Sequence, residues 1–137
     1  MRKFIELDQA TVDAETGIIS LTAARATEAQ PTVSMRREGD YITISASYGL
    51  LEIALRPRYH ELTRVLSRLQ PVEGLQTTRQ VGTGQAFLAL GLKPDGTLLM
   101  RPTLVADATG HMSFNLALTD SIRSTLYSWL PIETASA

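Results

Sequence analysis

The chain has 137 residues, 44% of them hydrophobic and 20% charged, with a formal net charge of −1. That length supports one proper core and is short for two independent large domains. With no cysteine a disulfide framework, a thiolate metal site and a catalytic thiol are excluded, and near-neutral charge means that any nucleic-acid surface must come from local segregation of charge. The N-terminus has no apolar stretch of the secretory kind, and no apolar run is long enough to span a bilayer as a helix. The expected setting is the cytoplasm, nucleoid included, with no membrane partner.

Residues 1–15 read as an N-terminal extension without an assigned element. After Gly17 the apolar run 18–22 reads as a strand, and the small polar residues 23–30 ahead of Pro31 as a loop or irregular edge. Residues 32–37 alternate, with Val33 and Met35 on one side and Ser34 and Arg36 on the other, and Glu38-Gly39-Asp40 supplies a hairpin turn. The chain returns over 41–47 with Ile42, Ile44 and Ala46 facing one way and Tyr41, Thr43 and Ser45 the other. Leu51, Ile53 and Leu55 mark a fourth strand. Pro57 then suits a first helical turn, and Tyr59, Leu62, Val65, Leu66 and Leu69 fall on one stripe of a helix ending before Pro71.

The second half follows the same plan. Residues 75–81 read as a Thr-rich strand turned by 82–84, and Ala86, Leu88, Leu90 and Leu92 mark the buried face of the next. Lys93-Pro94-Asp95-Gly96 is a turn, because proline presets one dihedral angle and glycine accepts the left-handed one. The strand at 98–105 contains Pro102, which predicts an edge or a bulge. A turn at 107–110 leads to a single strand with Met112, Phe114, Leu116 and Leu118 alternating. Thr119 or Asp120 caps a second helix, whose apolar stripe is Ile122, Leu126, Trp129 and Leu130.

Residues 51–73, LEIALRPRYHELTRVLSRLQPVE, and residues 113–133, SFNLALTDSIRSTLYSWLPIE, are therefore two versions of one passage from strand to helix to proline. Such a repeat fixes the architecture. The expected fold class is α+β: a tandem ββββα repeat over 16–73 and 74–133, forming one domain at 16–133, with a tail at 134–137. Two antiparallel four-stranded sheets would pack around the two helices.

A four-stranded sheet with one helix buries only one face, so the other faces are expected to be open. They would carry Ser34, Arg36, Tyr41, Thr43 and Ser45 in the first unit, and Phe87, Arg101, Thr103, Ser113 and Asn115 in the second. Hydroxyls, aromatics and arginines together suit single-stranded DNA or RNA, where aromatic faces stack on bases and cations follow phosphates. The candidate binding residues are Arg36, Arg37, Tyr41, Thr43, Arg79, Phe87, Arg101 and Asn115. Phe114 and Trp129, on apolar faces, read as core. Arg56, Arg58, Arg64 and Arg68 form a basic run on and before the first helix, either an electrostatic footprint or, as the preferred reading, a solvated helix face paired with Glu61.

The order of these motifs resembles the Whirly family of single-stranded DNA-binding transcriptional regulators, as a distant member. Thr16-Gly17-Ile18-Ile19-Ser20-Leu21 stands where that family has its KGKAALS strand, without its lysines. Ala29-Gln30-Pro31 stands at its proline-containing loop, Arg37-Glu38-Gly39 resembles its REG turn, and Lys93-Pro94-Asp95-Gly96 is similar to its LPDG hairpin. The resemblance implies a tandem ββββα fold, tetramers assembled through the helices, and single strands bound across the sheets in transcription regulation or DNA maintenance. The size of the stripes Leu62, Leu66, Leu69 and Ile122, Leu126, Trp129 likewise predicts a homo-oligomer, most simply a tetramer.

Two other classes fit parts of the pattern. An oligomeric protein–protein module using the open sheet faces fits the near-neutral charge. Catalysis would rest on His60 with Glu61 or His111 with Asp107, but these match no triad, metal or phosphate-loop spacing, so neither an enzyme nor a cofactor is expected.

Overall fold

Strict alternation builds the first sheet. The computed structural model describes residues 4–23, 31–72, 79–107 and 110–132. In it β3 (Ile19–Thr22), β4 (Pro31–Glu38), β5 (Tyr41–Tyr48) and β6 (Leu51–Leu55) run antiparallel. Ile19, Met35, Ile44 and Leu55 stand in one buried cross-strand row, and Leu21, Val33, Ala46 and Ile53 in the next. Because side chains alternate between faces, the residues between them all turn outward.

The residues expected to be an extension are part of both sheets. β1 (Ile5–Leu7) pairs in parallel with β11 (Leu116–Leu118), and β2 (Gln9–Val12) pairs antiparallel with β3. Leu7 is wholly buried. The architecture is therefore α+β, but the sheets are not two four-stranded repeats. One is five-stranded and antiparallel, in the order β2-β3-β4-β5-β6. The other is six-stranded and mixed, in the order β1-β11-β9-β8-β7, with β10 (Gly110–Ser113) also on β9. Here β7 is Gln80–Gly82, β8 is Ala86–Leu92 and β9 is Leu98–Asp107. Short apolar segments such as Ile5–Leu7 show no periodicity over a useful window, which is why only the tertiary pairing exposes them.

Pro102 is central rather than at an edge. It lies in β9 between β8 and the β10/β11 side. Phe114 donates its N–H to the Pro102 carbonyl at 3.2 Å, and proline returns no N–H. That rung is half missing, and the single strand expected over 112–118 divides there into β10 and β11. The expected Lys93–Gly96 turn forms, with Gly96 at φ 91° and its N–H on the Lys93 carbonyl at 3.0 Å. A Cβ at Gly96 would run into the Asp120 carboxylate.

The two helices pack into the same core as both sheets. α1 (Tyr59–Ser67) starts after Pro57 rather than through it and lies on β7; α2 (Asp120–Trp129) touches β11, β2 and β3. Two buried tyrosines tie the helices together: Tyr59 donates to the Leu130 carbonyl at 2.9 Å, and Tyr127 to the Leu66 carbonyl at 3.1 Å. Leu62, Leu66, Leu69, Ile122 and Leu126 are buried within the single chain and Trp129 is partly buried, so most of the helical stripes is covered without a second subunit. The large apolar side chains left exposed are elsewhere, notably Tyr48, Leu50 and Leu51 at the β5–β6 hairpin. Among the described residues no helix is long and apolar enough to cross a membrane. Residues 24–30 of the loop expected at 23–30, most of the strand expected at 75–81, the tip of the 107–110 turn and the 134–137 tail lie outside the described residues.

Candidate nucleic-acid interface

The outer face of the five-stranded sheet is a lattice of small hydroxyls. Cross-strand register lines up Thr22, Thr32 and Ser47 in one row, and Thr11, Ser20, Ser34 and Ser45 in the next. Glu52, on β6, accepts a hydrogen bond from Ser45 at 2.6 Å. Toward the β4–β5 turn the chemistry changes. Arg36 sits opposite Thr43, and Tyr41 stands between Glu38 on β4 and Arg58, which bridges to it from the far side.

Tyr41 is wrapped by cations. The Arg56 guanidinium lies 5.0 Å from its ring centre and that of Arg58 5.9 Å, within the range of cation–π attraction. Arg37, one residue on from Arg36, points to the other side of the strand, where its guanidinium lies 3.7 Å over the Tyr59 ring and its Nε donates to the Gly39 carbonyl at 3.1 Å. Here the chain forms a pocket of about 310 Å³ lined by Arg36, Arg37, Tyr59, Trp129 and the backbone at Gly17. Pro131 borders this pocket and also a shallower one carrying His60, Arg64 and Arg68 on the exposed face of α1.

Six of the chain's thirteen basic residues therefore gather at one end of the molecule. Arg56 forms an exposed ion pair with Glu38 at 3.6 Å. Among the described residues Arg36, Arg37, Arg58, Arg64 and Arg68 pair with no carboxylate. Glu61, the partner expected for the α1 arginines, instead accepts the Gly82 N–H at 3.1 Å. Arg58 also occupies the N-cap of α1 and makes no capping hydrogen bond there. A positive charge at that end opposes the helix dipole, and residues with a capping oxygen are strongly preferred.

The predicted site residues thus divide. Arg36, Arg37, Tyr41 and Thr43 come together at this end. Phe87, Arg101 and Asn115 lie on the outer face of the six-stranded sheet, which is less open than expected: Ala89, Leu99 and Thr103 there are buried, and Arg101 Nε donates to Asn115 Oδ1 at 2.8 Å. Arg79 lies just before β7 in the phase of buried Val81, with its Nε out of solvent contact, and joins neither group. The neighbours that complete the first group were not among the binding residues expected from the sequence. Trp129, read as core, is only partly buried and lines the pocket, with Nε1 donating to the Gly17 carbonyl at 3.1 Å. Arg56, Arg58, Arg64 and Arg68 carried a legible signal in their spacing, since Arg64 and Arg68 are one helical turn apart.

The histidines stand apart from one another. His60 packs edge-on to Tyr59 at 5.7 Å, and His111 on β10 faces Val105. Among the described residues no three His, Asp or Glu side chains are grouped to hold a metal ion. An apolar cleft of about 700 Å³ between β8, β9 and β10 carries His111 and Met112 and none of the arginines. Compared with family models, with curated proteins and with solved structures, the chain matches none of them.

Proposed function

We propose that this protein binds single-stranded nucleic acid, DNA in the first instance, in transcription regulation or DNA maintenance. The strand would enter over Tyr41 and follow the arginines at the end of the five-stranded sheet. The observation that carries the reading is the gathering of six arginines, five of them without a carboxylate partner among the described residues, at the end of the sheet that holds Tyr41, in a chain of net charge −1. Like charges about 8 Å apart in water repel by roughly 0.5 kcal/mol per pair before screening. Ring contacts and one exposed ion pair offset part of that repulsion, and a polyanion relieves the rest. The hydroxyl lattice beside the cluster offers donors and acceptors to phosphate and sugar without sequence preference.

Anisotropy titration of a labelled oligonucleotide at two salt concentrations tests this. Affinity is expected to fall with salt, and Arg36→Ala, Arg58→Ala and Arg64→Ala are each expected to flatten the slope by about 0.7, the single-strand value per phosphate. Tyr41→Ala is expected to weaken binding by about 1–3 kcal/mol while leaving the slope alone. Duplex of the same sequence should bind far more weakly, because its bases are not free to stack. Absence of binding at low salt would leave the protein-interaction reading, which the exposed apolar hairpin at Tyr48, Leu50 and Leu51 favours.

A further inference from the structure

From the pocket between the end of β4 and the end of α2 we infer a binding site for one phosphorylated nucleotide unit, with phosphate on Arg37, the base against Trp129 and Arg36 at the rim. It rests on the reading of this end of the molecule as a nucleic-acid surface, and it adds a defined subsite to a diffuse electrostatic one.

Three features select this ligand class. The first is size. A space of about 310 Å³ stands at the lower limit of small-molecule sites, which run from about 300 to 1,000 Å³. It has room for one nucleotide and not for a stack of them.

The second is what the walls leave free. Tyr59 has spent its hydroxyl on Leu130, Trp129 its indole N–H on Gly17, and Arg37 its Nε on Gly39. These bonds hold the walls in place before any ligand arrives, which lowers the ordering cost of binding. The uncovered part of Trp129 and the remaining Arg37 N–H donors are left to meet the ligand, since the Tyr59 ring is buried beneath Arg37. The Arg36 side chain has no hydrogen bond or ion pair among the described residues. A planar group bearing an anion satisfies that set, and a neutral sugar or a cation does not.

The third is charge balance. The terminal carbonyls of α2 carry roughly half a negative charge, and Tyr59 already binds one of them. The nearby Asp13 carboxylate is turned into its own loop, accepting from the Glu15 and Thr16 N–H groups at 2.8 and 3.3 Å. The Arg37 guanidinium alone outweighs the half-charge, and Arg36 at the rim adds to it.

Trp129 is the sole tryptophan of the chain, so indole fluorescence reads this pocket alone. Deoxyadenosine monophosphate, deoxyadenosine and inorganic phosphate are titrated in turn into the whole protein at low salt. The monophosphate is expected to quench saturably, with an affinity at least about tenfold above that of the nucleoside, as a charge-assisted contact implies. Arg36→Gln, an exposed change that leaves the core untouched, should weaken the monophosphate and leave the nucleoside unaffected. Equal quenching by the nucleoside, or none by the monophosphate at millimolar concentration, overturns the site. An oligonucleotide that binds by anisotropy without changing Trp129 emission also overturns it, and leaves the wider strand-binding surface standing. A monophosphate that quenches while no oligonucleotide binds supports the pocket and removes the wider surface.

Discussion

Tyr127 shows how one hydroxyl links packing to pH. It is buried and donates to the Leu66 carbonyl at 3.1 Å. Burial raises its pKa above the usual 10.0, against the opposing pull of Arg123. In the unfolded chain the phenol ionises near its ordinary value, so above about pH 10 the unfolded state binds fewer protons than the folded one, and stability falls as pH rises. Below that pH the phenol is protonated in both states and its contribution is complete. Tyr127→Phe is expected to lower stability near neutral pH, because a buried carbonyl loses its partner at a cost of about 1–3 kcal/mol, and to remove this residue's share of the alkaline loss. Denaturant midpoints measured at pH 8 and pH 11 check both signs. A variant whose alkaline loss equals that of the wild type would contradict the assignment.

The two helices begin in opposite ways, and the difference separates stability from function. α2 opens on Thr119, whose hydroxyl accepts the Ile122 N–H at 3.4 Å. α1 opens on Arg58 in an extended conformation, φ −72° and ψ 137°, with nothing accepted. That backbone geometry is the one a capping serine adopts. Arg58→Ser is therefore expected to stabilise the protein by roughly 0.5–1 kcal/mol, by adding a cap and removing a charge that opposes the helix dipole. The same change should weaken oligonucleotide binding. Thermal melting and anisotropy on this one variant read the two effects separately. Loss of stability without loss of binding would show that Arg58 serves the fold.

At the scale of the whole molecule, the N-terminal segment joins the two halves. β1 extends the six-stranded sheet beside β11 and packs on β4, while β2 extends the five-stranded sheet beside β3. Deleting residues 1–12 removes the wholly buried Leu7 and strips one strand from each sheet. Loss of that side chain alone is worth about 2–5 kcal/mol, and exposed sheet edges add a route to aggregation. Loss of cooperative unfolding, or precipitation at temperatures the full chain survives, is the expected outcome. A truncated chain with an unchanged melting curve would make residues 1–12 dispensable. Leu62, Leu66, Ile122 and Leu126 are buried within one chain, which leaves Trp129 as the part of the helical stripes still available to a helix-mediated tetramer.

Period and punctuation in the chain alone determined most of β3 to β6, β8, β9 and both helices, and the outward phase of Arg36, Tyr41 and Thr43. Alternation is a local property: a buried Ile44 sends Thr43 and Ser45 to the other face whatever lies beyond. The Lys93–Gly96 turn was legible for the same reason, since its dihedral angles belong to its own residues. Tertiary structure alone decided the rest. The parallel pairing of Ile5–Leu7 with Leu116–Leu118 joins segments more than a hundred residues apart, and nothing in a window of either segment encodes it. Trp129 and Arg37 become neighbours only because the end of α2 comes to rest beside the end of β4. The stacking of Arg37 on Tyr59 depends on the same closure. Charge segregation, invisible in a sum of −1, is likewise a property of positions in space, because the field at a surface depends on where charges sit and not on how many the chain contains.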